Sequence, residues 1–159
     1  MADSRVIYKD DGRGMEAFVG EVLVECPKCA SQARLVADNR IRNLSCLGCG
    51  PQREYPDSAG YSTPKADPVD PRTGLRLWLQ CPCGGQTVWA LNWAQLDCLE
   101  SYIRADLRPN RGFMGSDGVP QWRNGSYLNR LPTWMKLARN RHAILKSIER
   151  IRCDRASRT

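Results

Sequence analysis

Two pairs of cysteines near the start of the chain restrict its fold more than any other feature. Cys26 and Cys29 are separated by two residues, and Cys46 and Cys49 repeat that spacing after an interval of sixteen residues. A two-residue spacer lets both thiolates of a pair turn toward one point, and two such pairs on antiparallel strands complete a tetrahedron around Zn²⁺. The pattern predicts a zinc ribbon with these four cysteines as metal ligands.

A disulfide framework and a redox centre are the other common uses of paired cysteines. The chain begins with Met, shows no secretory signal, and has no apolar run near the about 18 residues needed to span a bilayer. We therefore expect a cytoplasmic protein with reduced thiols and no membrane partner. A redox pair is usually a single CxxC that opens a helix, whereas the flanks of these pairs favour strands.

The number of ligands indicates what the metal does. Catalytic zinc normally has three protein ligands and an open position for water, while four protein ligands close the coordination sphere. We expect one structural Zn²⁺, which replaces the hydrophobic core that a segment of this size cannot build.

The other four cysteines leave two interpretations open. Cys81 and Cys83 are one residue apart, which is a poor chelating spacing, but together with Cys98 and Cys153, or with His142, they could form a second metal site. Alternatively, each is a small apolar residue in the packing. The second interpretation is favoured because Cys98 falls inside a predicted helix and Cys153 near the end of the chain.

Hydrophobic periodicity and turn residues predict an α+β fold, in which a four-cysteine zinc ribbon precedes a β-hairpin, a helix and a C-terminal basic helical hairpin. The predicted segments are a flexible lead-in over 1–15, the ribbon over 16–55, a Pro-rich linker over 56–74, a β-hairpin plus helix over 75–108, a Gly-rich loop over 109–130, and a basic helical region over 131–159 that packs on 75–108.

Strands are expected around 18–26, 32–37 and 41–46, and again at 75–80, where Leu75, Leu77 and Leu79 alternate with polar residues and tryptophan. The run CPCGG at 81–85 is expected to be the hairpin turn, followed by a returning strand at 87–91. Five prolines between residues 50 and 73 predict a linker or wrapping loop there.

Two main helices are expected in the second half of the chain. Asn92 is a predicted N-cap, with Gln95 in the capping-box position, for a helix that reaches Arg108 before Pro109. Pro132 favours a first helical turn in the segment that follows it. Asn140 is the predicted cap of a last helix that runs to about Arg155.

Charge is distributed unevenly along the chain. Residues 1–100 contain 11 Lys and Arg against 13 Asp and Glu, whereas residues 101–159 contain 13 against 4. A basic region of this kind attracts polyanions. The alternative is a solvated helical face with surplus arginine.

The basic region supplies the candidate phosphate contacts. Cationic residues interleaved with an aromatic residue on a loop can pair with phosphates and stack on bases. We predict nucleic-acid contacts, to DNA or RNA, from Lys136, Arg139, Arg141, Lys146, Arg150 and Arg152, together with Arg123 and Trp122 in the Gly-rich loop.

No catalytic constellation is visible in the sequence. His142 is the only histidine, the acidic residues are scattered, and the short glycine runs are too small for a phosphate-binding loop. We expect a protein that is not an enzyme.

Three stretches, CPKC…CLGC, LWLQCPCGGQTVWALNWAQLDCLESYIRADLR and LPTWMKLARNRHAILKSIERIR, carry a resemblance. The chain resembles small bacterial transcription factor IIB-type zinc-ribbon proteins. The resemblance implies a ribbon fold, zinc ligation by Cys26, Cys29, Cys46 and Cys49, and binding to nucleic acid or to proteins. A nucleic-acid-binding module is the favoured hypothesis, and an adaptor that docks a protein partner in a larger bacterial complex is the alternative.

Overall fold

The computed structural model describes residues 6, 8, 12–57, 68–106, 113–114, 120–121 and 127–157. The strands are β1 (Glu21–Glu25), β2 (Gln32–Asp38), β3 (Ile41–Cys46), β4 (Gly50–Pro56), β5 (Leu79–Cys83), β6 (Gln86–Ala90), β7 (Phe113–Met114) and β8 (Pro120–Gln121). The α-helices are α1 (Trp93–Arg104), α2 (Thr133–Lys136) and α3 (Arg141–Ala156), and the fold is α+β. Short 3₁₀ turns lie at Met15–Ala17, Tyr127–Arg130 and Ala138–Asn140.

The N-terminal half forms a four-stranded antiparallel sheet in the order β1-β2-β3-β4. The fourth strand differs from the sequence prediction, which expected loop from residue 50 onward. Pro51 and Pro56 are tolerated because β4 is an edge strand, where a missing N–H need not break a ladder. A register shift between Leu44 and Ser45 separates the two halves of its pairing with β3.

The second sheet is the β5–β6 hairpin. Its turn is Gly84-Gly85, both with positive φ (52° and 80°), the backbone that favours glycine in a two-residue hairpin turn. The strand begins at Leu79 rather than at Leu75, and Cys81 and Cys83 lie inside it rather than in the turn. Residues 76–78 pair instead with β1, because Glu25 N donates to Arg76 O and Trp78 N donates to Leu23 O.

Helix α1 begins as the sequence predicts. Asn92 Oδ1 accepts a hydrogen bond from Gln95 N at 2.9 Å, and Asn92 Nδ2 donates to the carbonyls of Phe18 and Glu21, which joins the helix start to the ribbon. The predicted end at Arg108 is wrong. Ala105 adopts an extended conformation, and the amide of Asp106 donates to the carbonyl of Val6.

The C-terminal region is not the two-helix hairpin that the sequence predicted. Helix α2 is a single turn, Leu137 is extended, and a 3₁₀ turn leads into the sixteen-residue α3. Asn140 precedes α3 as expected, but its side chain makes no cap. Its Nδ2 donates to the carbonyl of Trp134 instead.

The described ends of the linker are tied to the ribbon sheet. Arg42 in β3 is buried, and its Nε donates to Asp57 Oδ1, which also accepts from Arg72. Residues 58–67 lie outside the described residues, as do most of the Gly-rich loop and of the first eleven residues.

Strand β1 lies between two hydrophobic clusters. Val22 and Val24 pack with Cys26, Leu35 and Leu44 on the inner face of the ribbon sheet. Leu23 points to the other side, into the cluster that α1, the hairpin and α3 build, with members that include Trp78, Leu99, Ile144, Ile148 and Ile151. Strand β1, which ends directly before the first cysteine pair, therefore also contributes to the hydrophobic cluster that contains the buried side of α3.

Candidate metal centre and basic surface

Four cysteines meet at one end of the four-stranded sheet. Their Sγ atoms all lie within 4.8 Å of one another, a spacing that can hold a metal ion. The first pair, Cys26 and Cys29, follows β1. In the second pair, Cys46 is the last residue of β3 and Cys49 directly precedes β4. The antiparallel pairing of β1, β2 and β3 therefore brings the two pairs together, although sixteen residues separate them in sequence.

The two cysteine pairs form matching turns, here called the knuckles (residues 26–29 and 46–49). Lys28 N donates to Cys26 Sγ at 3.4 Å, and Gly48 N donates to Cys46 Sγ at 3.3 Å. Such amide hydrogen bonds stabilise negative charge on sulfur, which is the form of cysteine that binds metal. The first cysteine of each knuckle thus accepts the same kind of backbone hydrogen bond.

The thiols differ in proton affinity. Hydrogen bonds from the side chain and backbone of Ser31 lower the pKa of Cys29 to about 6. The hydrogen bond with Cys29 raises the pKa of Cys49 to about 12, and burial raises the pKa of Cys46. A metal ion must therefore displace the protons of Cys46 and Cys49, so metal affinity decreases as the pH falls.

Burial is asymmetric at this centre. Cys26 and Cys46 are buried in the ribbon cluster, whereas Cys29 and Cys49 are exposed. Four protein ligands leave no coordination position for a substrate in a tetrahedral site. A metal ion held by these four cysteines can therefore stabilise the fold at this end of the four-stranded sheet.

The remaining cysteines do not assemble a second centre among the described residues. Cys81 and Cys83 are buried in the cluster shared by the hairpin and α3. Cys98 is buried and lies 3.4 Å from the Tyr8 hydroxyl, while Cys153 and His142 are exposed on α3. Their positions support packing rather than metal ligation for the buried three.

Several of the predicted phosphate contacts already have partners within the protein. Arg152 donates to Asp97 and to Glu100 on α1, at 2.6 Å each. Arg141 lies 3.5 Å from Asp106. Arg152 thus joins α3 to α1, and Arg141 joins α3 to the segment that follows α1, which leaves less of their charge for a partner.

Lys136 Nζ donates to the carbonyl of Asn129 at 2.7 Å, a bond that leaves its positive charge in place. Trp122 and Arg123 lie outside the described residues.

Three of the predicted contacts are exposed and are here together called the α3 basic face: Lys146 and Arg150 on α3, and Arg139 in the 3₁₀ turn that precedes it. None of the three has an ion pair with any described residue. Lys146 and Arg150 are one helical turn apart and therefore lie on the same side of α3. The opposite side carries the buried isoleucines.

No helix within the described residues is long and apolar enough to cross a membrane. No family model, curated protein or solved structure matches this chain. The resemblance to transcription factor IIB-type zinc ribbons therefore stays a prediction from its motifs.

Proposed function

We propose that this chain is a non-enzymatic zinc-ribbon protein that binds nucleic acid through the α3 basic face. The observation that carries the proposal is the exposure of Arg139, Lys146 and Arg150 without ion pairs among the described residues. Cations that are not neutralised within the protein can replace the counterions of a polyanion.

The metal in this proposal is Zn²⁺ with a structural role. Four thiolates are soft ligands, and a closed set of four sulfurs suits tetrahedral zinc. The knuckles fix the end of β1, and β1 supports α3 through Leu23. Zinc thus supports nucleic-acid binding by stabilising the fold, and it need not contact the nucleic acid.

Acidic residues on α1 limit where the partner lies. The side chain of Asp97 is 64% exposed although Arg152 pairs with it, and Glu100 is shared between Arg104 and Arg152. Phosphates are repelled from exposed carboxylates, so the nucleic acid is expected on the side of α3 that faces away from α1.

An electrophoretic shift assay on short DNA and RNA oligonucleotides tests the proposal. Three phosphate contacts on a duplex give a salt slope of about −2.7, so affinity should fall about 40-fold between about 50 and about 200 mM salt. Replacing Arg139, Lys146 and Arg150 by Gln should abolish most of the binding at the lower salt. No binding by the wild-type protein at about 50 mM salt would remove the proposal.

The matched control is Arg40→Gln. Arg40 is an exposed cation in the β2–β3 turn, at the end of the ribbon opposite the knuckles. Its loss should leave the affinity within about twofold of wild type, because it lies on the four-stranded sheet and not on α3. An equal loss of affinity in the control would indicate attraction by net charge alone and contradict a defined surface.

A further inference from the structure

One half of the four-cysteine cluster is open to solvent. Cys26 and Cys46 are 3% and 4% exposed, whereas Cys29 and Cys49 are classed as exposed residues. All four Sγ atoms lie within 4.8 Å of one another, so the two exposed sulfurs are also neighbours. A small molecule in the solvent can therefore reach two adjacent sulfurs of this centre.

The second knuckle leaves a gap beside the Cys29 sulfur. A Cβ atom at Gly48 would lie 3.5 Å from Cys29 Sγ and 3.7 Å from Ser31 Oγ, which is ordinary van der Waals contact. Gly48 is not among the glycines with positive φ, so its backbone conformation does not require a glycine. The missing side chain thus leaves this side of the Cys29 sulfur uncovered.

Metal ligation favours oxidation of exposed sulfurs of this kind. A coordinating thiol is deprotonated by the metal, and the thiolate is the form that oxidants attack. Susceptibility to oxidation follows thiolate character and solvent access, and redox-sensitive cysteines often have a second cysteine beside them. Cys29 and Cys49 meet these conditions together, whereas the exposed Cys153 lies on α3 and is not part of the cluster.

We propose that Cys29 and Cys49 are an oxidative modification site, at which hydrogen peroxide converts two thiolates into a disulfide and the metal is released. The Cys29 thiolate attacks the O–O bond of the peroxide, which gives a sulfenic acid on Cys29 and one hydroxide ion. The Cys49 thiolate then attacks the sulfenic sulfur, which forms the S–S bond and expels a second hydroxide ion. The two sulfurs lose two electrons in total, and the peroxide gains them.

Burial decides which sulfurs pair. Cys46 Sγ lies 3.5 Å from Cys29 Sγ, but Cys26 and Cys46 are packed in the hydrophobic cluster of the four-stranded sheet, and each accepts a backbone amide hydrogen bond. Cys49 is exposed, so its approach to Cys29 requires no change in that cluster. The disulfide removes two of the four ligands, and the fold loses the stabilisation that the metal supplies.

This site goes beyond the proposed function, of which it uses only the zinc at the four cysteines. The test treats the zinc-loaded full chain with hydrogen peroxide and follows zinc release with a chromogenic chelator, against a sample without peroxide. Free thiols are then alkylated, and unreduced tryptic peptides are analysed by mass spectrometry. Trypsin cleaves after Lys28, so Cys26 and Cys29 fall in different peptides. The expected result is release of zinc as a Cys29–Cys49 disulfide forms, with Cys26 and Cys46 alkylated.

Gly48→Ala is the informative variant, because it keeps all four ligands. Its methyl group would contact Cys29 Sγ, so zinc release should be at least about threefold slower than in wild type. Gly20→Ala is the matched control, since a Cβ atom there meets no described atom within 4 Å, and it should release zinc at the wild-type rate. Cys153→Ser should do the same.

The outcomes separate this site from the proposed function. If the wild-type protein does not bind zinc, the structural zinc of the proposed function and the oxidation site both fail. If it binds zinc, but peroxide releases none or the disulfide joins other cysteines, the oxidation site is wrong while the proposed function stands.

The variants test the route of the oxidant. A zinc-loaded Gly48→Ala protein that releases zinc at the wild-type rate, or a Gly20→Ala protein that is slowed equally, would overturn the entry at Cys29. If Gly48→Ala does not hold a full equivalent of zinc, the disulfide found in the wild-type protein decides alone.

Discussion

Arg155 lies over the ring of Trp78, with its Cζ 4.4 Å from the ring centre, and the same guanidinium reaches Glu25 at 3.7 Å. Its side chain is only 17% exposed. Arg155 thus joins α3 to the segment before the hairpin and to strand β1, which ends directly before Cys26.

Replacing Arg155 with Ala should destabilise the protein by about 2 kcal/mol, because a desolvated cation–π contact and an ion pair are lost together. Arg155→Lys should lose less, since it keeps the charge but not the planar group. Urea unfolding followed by circular dichroism measures both. Arg150→Ala, which removes an exposed arginine of the same helix, should stay within about 0.5 kcal/mol; equal losses at the two positions would contradict the role assigned to Arg155.

The ion pairs of Glu100 predict part of the loss of folding stability at acidic pH. Partial burial raises the pKa of Glu100, but hydrogen bonds from Arg104 and Arg152 outweigh it, and the net pKa lies below the ordinary value. A carboxyl with a lowered folded pKa stabilises the protein above its unfolded pKa, about 4.3, and this stabilisation is lost as the pH falls through the folded pKa.

Glu100→Gln should therefore cost about 1 kcal/mol at pH 7, a value that allows for solvent screening of a partly exposed group. The difference from wild type should shrink progressively as the pH is lowered below about 4. Unfolding free energies of both proteins between pH 7 and pH 3 measure it. A difference that stays constant across that range would show that the ion pairs contribute nothing through the charge of Glu100.

Metal removal should affect both halves of the structure. Structural zinc contributes about 10 kcal/mol of apparent binding free energy. Strand β1, directly before Cys26, places Leu23 in the same hydrophobic cluster as the buried isoleucines of α3. Chelation should therefore unfold the ribbon, loosen α3, and shift tryptophan emission to longer wavelength as Trp78 becomes solvated.

Zinc analysis of two cysteine variants provides the control. Wild type and Cys153→Ser should each hold one equivalent of zinc, because Cys153 is exposed on α3. Cys26→Ser should hold much less and melt at a lower temperature. Retention of a full equivalent and of the wild-type melting temperature by Cys26→Ser would contradict the four-cysteine centre.

Local patterns predicted the parts of this structure that depend on neighbouring residues. The cysteine spacing indicated which four sulfurs lie together, and the side chain of Asn92 indicated where α1 begins. The capping partner differs in detail, since Gln95 Oε1 accepts from the amide of Leu91 rather than from that of Asn92. The alternation at 75–80 indicated extended backbone but not its partner, which is β1 rather than β6 for residues 76–78.

Contacts between distant residues account for what the sequence did not predict. Helix α1 ends at Arg104, and beyond it the amide of Asp106 donates to the carbonyl of Val6, one hundred residues away. The pairing of Arg152 with Glu100, and of Arg155 with Glu25, decides which cations of α3 remain exposed, and no local pattern encodes either pair. Composition showed that the region is basic, but not which charges are available to a partner.

The most direct test of the account is an NMR titration of the ¹⁵N-labelled, zinc-loaded protein with a short DNA duplex at low salt. The account predicts amide shift changes concentrated at Arg139, Lys146 and Arg150 and their neighbours, with little change on α1 around Asp97. Changes confined to other surfaces, or no changes at millimolar duplex, would contradict it.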